Sequence, residues 1–325
     1  HIKHLFLPQT NERQTMSIIA ESPDFIQVFS DGTVKRFAPG IASASAEPTD
    51  GYISKDVTID ASKPVTARLF VPCTEGLTGQ LRPVLVYFHG GGFCIGSTTW
   101  LGYHHFLGCF SAASRCIVLS VDYRLAPENR LPVAYEDCYD ALKWLGDNAS
   151  FEPWLKSADL NRVFLSGDSA GGNITHQVAI TALRDRACSV KIKGLLLIHP
   201  YFGSEKRTPN EMVNQDSQDL KSNDMFWRLS IPEGSNRDHY GCNFEMQDVL
   251  ADEWKKFPAV VVYVAGLDFL KERGLMYAKF LVKKGVKEVI LEEAEDESHV
   301  FHVFNPLSEA TRMLQQHMIS FMNCH

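Results

Sequence analysis

Val163-Phe-Leu-Ser-Gly-Asp-Ser169-Ala-Gly-Gly-Asn-Ile-Thr-His-Gln-Val178 opens as a short apolar run, passes through Gly167-Asp-Ser169-Ala-Gly171 and continues with helical composition. The pattern predicts a strand, a sharp turn and a helix, with a serine at the apex. Gly167 and Gly171 remove β-carbons that would collide where such a turn brings backbone together. A helix that starts at the serine points its free N–H groups and positive dipole end to where an oxyanion would form. Glycines and serines recur in ordinary loops, so the pattern needs partners elsewhere in the chain.

Working outward, Val84-Leu-Val-Tyr-Phe88, Cys116-Ile-Val-Leu-Ser-Val121, Ile192–Ile198, Pro258–Ala265 and Glu288–Leu291 read as further strands. Val133–Leu145, Leu270–Lys284 and Leu307–Met322 read as helices between or after them. Strands apolar on both faces that alternate with helices imply a mostly parallel central sheet flanked by helices, an α/β fold. In open sheets of this kind the active site forms along the edge made by the strand C-terminal ends. The earlier part of the chain looks antiparallel, with two short strands around Asp31-Gly32 and two more at Asp56–Asp60 and Thr66–Val71. Between Tyr201 and Met246 the alternation fails, and this aromatic, proline-containing interval is expected to be a helical cap. A second cap contribution is expected from about 16–50. Met16 follows a polar stretch, so residues 1–15 are read as a leader or appended extension ahead of one domain over 16–325.

The net charge of −7 and the lack of a Lys/Arg block argue against nucleic acid as a partner. Eight scattered cysteines without a Cys-x-x-Cys pair or a His/Cys metal spacing suggest reduced thiols in a cytoplasmic protein, with no metal. The acidic run Glu292-Glu-Ala-Glu-Asp-Glu297 reads as a solvated loop. No apolar segment approaches the roughly 20 residues needed to span a bilayer. Monomer and homodimer both stay open.

A serine hydroxyl needs a base, usually histidine, oriented by a carboxylate. With this architecture the expected chain order is serine, then acid, then histidine, on loops after later strands. Asp268 follows the strand ending at Ala265, and His299 follows Glu288–Leu291 across the acidic loop. As an isolated residue Asp268 would be a helix cap, and His302 is a fallback base. His89-Gly90-Gly91-Gly92 can expose backbone N–H groups to a substrate carbonyl; losing one such donor typically raises a barrier by about 3–4 kcal/mol. Gly91, Gly92 and Ala170 are the expected oxyanion donors. The glycine run lacks the Gly-Lys-Ser/Thr and Gly-x-Gly-x-x-Gly patterns of phosphate-binding loops.

Four separated motifs carry a resemblance: His89-Gly-Gly-Gly-Phe93, Val121-Asp-Tyr-Arg-Leu-Ala-Pro-Glu128, Leu131-Pro-Val-Ala-Tyr-Glu-Asp137 and Gly167-Asp-Ser-Ala-Gly-Gly-Asn173. Together they look like the hormone-sensitive-lipase-like branch of the α/β-hydrolase fold, with the flavour of plant carboxylesterases. Asp31-Gly-Thr-Val34 and Trp227-Arg-Leu-Ser-Ile-Pro-Glu-Gly234 add to the likeness, which runs from about Phe25 to the C-terminus. The resemblance implies a cytosolic serine carboxylesterase that works without a cofactor on a small or medium apolar ester. Plant relatives on the same scaffold include a hormone receptor lacking the histidine, and dehydratases or cyclases. This chain keeps Ser169, Asp268, His299 and the full glycine run, which disfavours the receptor reading; elimination or cyclisation and a slow-turnover hormone-binding hydrolase stay as rivals. Phe93, Ile95, Phe202, Phe226, Trp227, Phe269 and Val300 lie beside the motifs or in the expected cap and are candidates for pocket walls, with ordinary core burial at least as good a reading. Asp168 is expected to bind backbone or a cap residue.

Overall fold

A computed structural model describes residues 15–73 and 79–325. The strands and helices that it forms fall into two units, His1–Phe37 and Ala38–His325. In the first, β1 (Ile18–Ser22), β2 (Ile26–Phe29) and β3 (Val34–Arg36) form an antiparallel meander. The β2–β3 hairpin turns at Asp31-Gly32, where Gly32 adopts φ 87° and Asp31 Oδ1 accepts from the Thr33 N–H. This corrects the expectation of a helical cap from the N-terminal segment, because the described residues of 16–50 contain no helix. The physical reason is local. Alternating Ile26-Gln-Val-Phe29 suits a pleated strand, and Pro39 and Pro48 would break a helix in the segment between β3 and β4. The expectation for residues 1–15 falls outside the described residues except at Thr15.

The second unit is built on an eight-stranded sheet. Its elements in chain order are β4 (Tyr52–Asp60), β5 (Val65–Pro72), β6 (Arg82–Phe88), α1 (Leu101–Ser114), β7 (Ile117–Asp122), α2 (Val133–Asn148), β8 (Ala158–Asp168), α3 (Ala170–Arg184) and β9 (Ile192–Ile198). The insertion then supplies α4 (Pro209–Val213) and α5 (Gln218–Ser230), and α6 (Ala251–Trp254) comes next. After it come β10 (Ala259–Ala265), α7 (Lys271–Lys284), β11 (Val289–Ala294), α8 (Phe301–Phe304) and α9 (Glu309–Cys324). The spatial order is β11-β10-β9-β8-β6-β7-β5-β4; β5 is antiparallel to both its neighbours, and β7, β6, β8, β9, β10 and β11 run parallel.

The register brings the strand ends to one edge. Phe88 pairs with Gly167, Asp168 with Ile198, Tyr263 with Ile198 and Ala265 with Ala294. Strand order reverses at β6, which lies between β7 and β8, and this is the switch point beside which open α/β sheets form their sites. Side-chain alternation covers both faces. Val84, Val86 and Phe88 join the cluster formed with α2, α3 and α7, whereas Tyr87 meets Phe106 of α1 and Phe164 meets Phe321 of α9. Among the described residues no helix is long and apolar enough to cross a membrane.

The insertion between β9 and β10 is helical, as its broken alternation predicts. Helix α5 is fixed over the glycine loop by Ser230 Oγ, which donates to the Gly92 carbonyl at 2.9 Å, and by Trp227 stacked on Tyr201 at 4.2 Å. Helix α4 is fixed to α7 by Arg273, whose Nε and Nη2 donate to the two oxygens of Glu211 at 2.8 and 2.9 Å. These side chains are only 4 % and 5 % exposed. Removing one member of a buried pair strands the other charge, at about 3–5 kcal/mol. Arg273→Met is therefore expected to destabilise the protein by about that amount in urea unfolding, and adding Glu211→Met should recover most of the loss.

Candidate active site

The turn between β8 and α3 holds Ser169 at φ 53°, ψ −118°, a left-handed conformation that a non-glycine residue adopts at a cost of about 1–3 kcal/mol. Packing sustains it. A Cβ on Gly171 would overlap the Phe88 carbonyl, and one on Gly167 would overlap the Gly171 carbonyl. Backbone bonds hold the apex from the β9 side as well. The Ser169 N–H donates to the Ile198 carbonyl and the Ser169 carbonyl accepts from the Tyr201 N–H, both at 2.9 Å.

Three loops converge on the serine. His299 Nε2 lies 3.0 Å from Ser169 Oγ, and His299 Nδ1 lies 2.8 Å from Asp268 Oδ2. Asp268 Oδ1 accepts from the Leu270 N–H at 2.8 Å, so the carboxylate is held by the turn just before α7 while its other oxygen faces the imidazole. Burial works against the charged imidazole, but the Asp268 carboxylate outweighs it and raises the His299 pKa above its ordinary value. Burial also opposes ionisation of Asp268, and His299 reverses that, holding its pKa below the usual carboxylate value. A third of the His299 side chain is open to solvent, and Asp268 is 1 % exposed at its side chain. The imidazole is thus reachable and its acid partner is not.

Gly91 (φ 112°) and Gly92 (φ 56°) adopt backbone angles that suit glycine. Among the described residues the N–H groups of Gly91, Gly92 and Ala170 donate to no acceptor. Ala170 also begins α3, where the helix dipole favours negative charge. Asp168 anchors this loop from below. Its Oδ1 accepts from Tyr87 Oη at 2.7 Å and from the Gly90 N–H at 3.2 Å, and its Oδ2 accepts from Tyr103 Oη at 2.9 Å. Asp168 therefore binds backbone, in line with its expected role, together with two tyrosines that sequence reading did not single out. Burial raises its pKa, opposed by the tyrosine hydrogen bonds.

The expected pocket residues divide. Ile95 packs against Gly91 and the Phe226 ring lies against Gly92, while Phe269 and Val300 adjoin Asp268 and His299. Phe93, Phe202 and Trp227 lie in the core. Phe93 meets Trp227 at 5.7 Å, and Phe202 packs on Tyr277 at 4.7 Å. The fallback base His302 is fully buried beneath the site with its ring nitrogen 3.2 Å from Tyr87 Oη. His199 is the residue that sequence reading missed. It directly follows β9 at the same sheet edge, and this position was the available signal.

One ring nitrogen each from His199 and His299 and one oxygen of Asp268 lie within 4.8 Å of one another, a spacing compatible with metal ligation. Most of their polar atoms are already engaged. His199 Nδ1 accepts from the Val300 N–H, and Asp268 binds His299 and Leu270. Ligation by His299 and Asp268 would compete with the bond between them.

A family model described as alpha/beta hydrolase fold matches residues 85–303. The chain is 45 % identical over 231 residues to probable carboxylesterase 6 of Arabidopsis thaliana, covering 69 % of each chain. It is 36 % identical over 310 residues to the chloroplastic tuliposide A-converting enzyme 1 of Tulipa gesneriana, covering 94 % of this chain and 78 % of that one. Among solved structures it resembles an esterase of Pyrobaculum calidifontis, at 29 % identity and a TM-score of 0.66, covering 83 % and 82 % of the two chains. With six parallel strands presenting a serine turn, a glycine loop and two later loops on one edge, the chain belongs to the α/β-hydrolase fold family, in its branch of carboxylic ester hydrolases.

Proposed function

We propose that the protein is a serine carboxylesterase acting on small to medium, rather apolar carboxylic esters. The observation that carries this reading is the hydrogen-bonded line from Asp268 through His299 to Ser169, set beside three N–H groups that donate to no acceptor among the described residues. Ser169 Oγ attacks the ester carbonyl while His299 Nε2 takes its proton. The carbonyl oxygen gains negative charge against the N–H groups of Gly91, Gly92 and Ala170. His299 then protonates the leaving alcohol, and the acyl group stays on Ser169. Water, deprotonated by the same imidazole, releases the acid and restores the serine. Asp268 keeps the imidazole oriented and stabilises its charged form. Ile95, Phe226, Phe269 and Val300 suit an apolar acyl or alcohol group.

A second reading, dehydratase or cyclase chemistry without uptake of water, draws on the curated relatives named tuliposide A-converting enzymes. Labelled water separates the two, since hydrolysis places one water oxygen in the acid product and elimination or cyclisation does not.

Ser169→Ala is expected to lower kcat on short nitrophenyl esters by on the order of 10⁶-fold with an unchanged thermal transition. An organophosphonate should label the native protein at Ser169; undiminished turnover by the variant would defeat the mechanism. The imidazole must be neutral to act as base. Because its pKa is raised, kcat/KM is expected to climb with pH along an acid limb centred above the ordinary histidine value of 6.5. Asp268→Asn removes the raising charge while burial persists, so the limb should move to lower pH as kcat falls by about 10⁴-fold. A limb that does not move would argue that Asp268 is not the partner that sets it.

A further inference from the structure

We propose that His199 is a positioning residue that holds His299 in its working orientation and joins the histidine loop to the serine turn; this inference rests on the esterase reading above. His199 directly follows the C-terminal end of β9, is 2 % exposed and adopts φ 46°. Its Nδ1 accepts from the Val300 N–H at 2.9 Å, and Val300 follows His299 directly. Val300 adopts φ 48°, in the left-handed region where a β-branched residue is a genuine outlier. Two strained non-glycine residues are therefore tied by one buried hydrogen bond, and that bond fixes the peptide next to the base. Strain of this kind persists only where the surroundings over-determine it.

The backbone around His199 completes the connection. Its own N–H donates to the Tyr263 carbonyl at 2.9 Å, tying it to β10, the strand that leads to Asp268. The residue before it, Ile198, accepts from the Ser169 N–H, and Tyr201, two residues on, donates to the Ser169 carbonyl. The segment thus clasps the serine turn with its backbone and the histidine loop with its side chain. Since an amide N–H can only donate, Nδ1 carries the lone pair and the ring proton lies on Nε2. Burial lowers the His199 pKa to about 3, and the neighbouring His299 adds to the effect, so the ring stays neutral and continues to accept. His199 packs against His299 at 5.8 Å and Phe301 at 5.6 Å between ring centroids.

The test compares two substitutions and one measurement on the unaltered protein. His199→Phe keeps a planar ring but removes the acceptor; His199→Asn places an amide oxygen near the position of Nδ1 and tolerates the left-handed backbone. The Phe variant is expected to lose about 10- to 100-fold in kcat on a nitrophenyl ester with KM within about twofold, and the Asn variant should recover most of it. Equal losses in both variants, a change confined to KM, or wild-type kcat in a folded Phe variant would each overturn the proposal. Nitrogen-15 NMR of the native protein should show His199 as the neutral Nε2–H tautomer from about pH 5 to 8. An Nδ1–H tautomer would overturn the proposal even if neither variant folds. Failure of the esterase reading itself is seen separately, as undiminished turnover by Ser169→Ala.

Discussion

The close approach of β6 to the start of α3 is the constraint on which the site depends. At Gly171 there is no room for a Cβ because the Phe88 carbonyl occupies that space, and at Gly167 the Gly171 carbonyl does the same. This contact places the end of β6 and the adjoining glycine loop directly beside the strained serine. A donor array and a hydroxyl on separate segments thereby become neighbours without any side chain spanning them. Wider spacing between β6 and α3 would separate the Gly91 and Gly92 N–H groups from that of Ala170, even though each segment kept its own fold.

Below this contact lies a layer of buried polar groups. Asp168 gathers Tyr87, Tyr103 and the Gly90 N–H, Tyr87 meets His302, and His199 holds Val300. Buried polar groups without partners are costly, so this layer must be satisfied nearly throughout. Its exceptions are few and include His302 Nδ1, which has no partner among the described residues, and burial keeps that ring neutral. The layer gives the loops above it a rigid floor, and it does so with neutral hydroxyls and imidazoles around the single Asp168 carboxylate.

The pattern of what was legible reflects the range of the interactions concerned. Ser169, Asp268 and His299 could be singled out because each follows an apolar strand, and strand ends in a parallel sheet share an edge. The insertion was visible as a failure of alternation. Helix α1 was missed because it is apolar on most sides, burying Tyr103, His104, Phe106, Leu107 and Phe110, and has no charged residue in its first or last turn and no side-chain cap. The N-terminal helix was expected where β-strands form, although the Asp31-Gly32 turn was legible. His199, Tyr87 and Tyr103 depend on the register of strands far apart in the chain, and no local pattern encodes that register. Phe202 and Trp227 were ambiguous for the same reason, since an aromatic side chain in an insertion can face either a pocket or the core.

Position at the sheet edge therefore selects candidates, and buried hydrogen bonds decide how they can act. His299 and His302 stand three residues apart, and both were plausible bases. The left-handed backbone at Val300 separates them by reversing the chain after His299, leaving that imidazole above the sheet edge between Asp268 and Ser169 and carrying His302 beneath it to Tyr87. A regular helical turn through these residues would instead set the two rings side by side on one face. The distinction between an accessible, basic imidazole and a buried, neutral one thus stems from a single backbone angle, and the bond from the Val300 N–H to His199 is the interaction placed to maintain it.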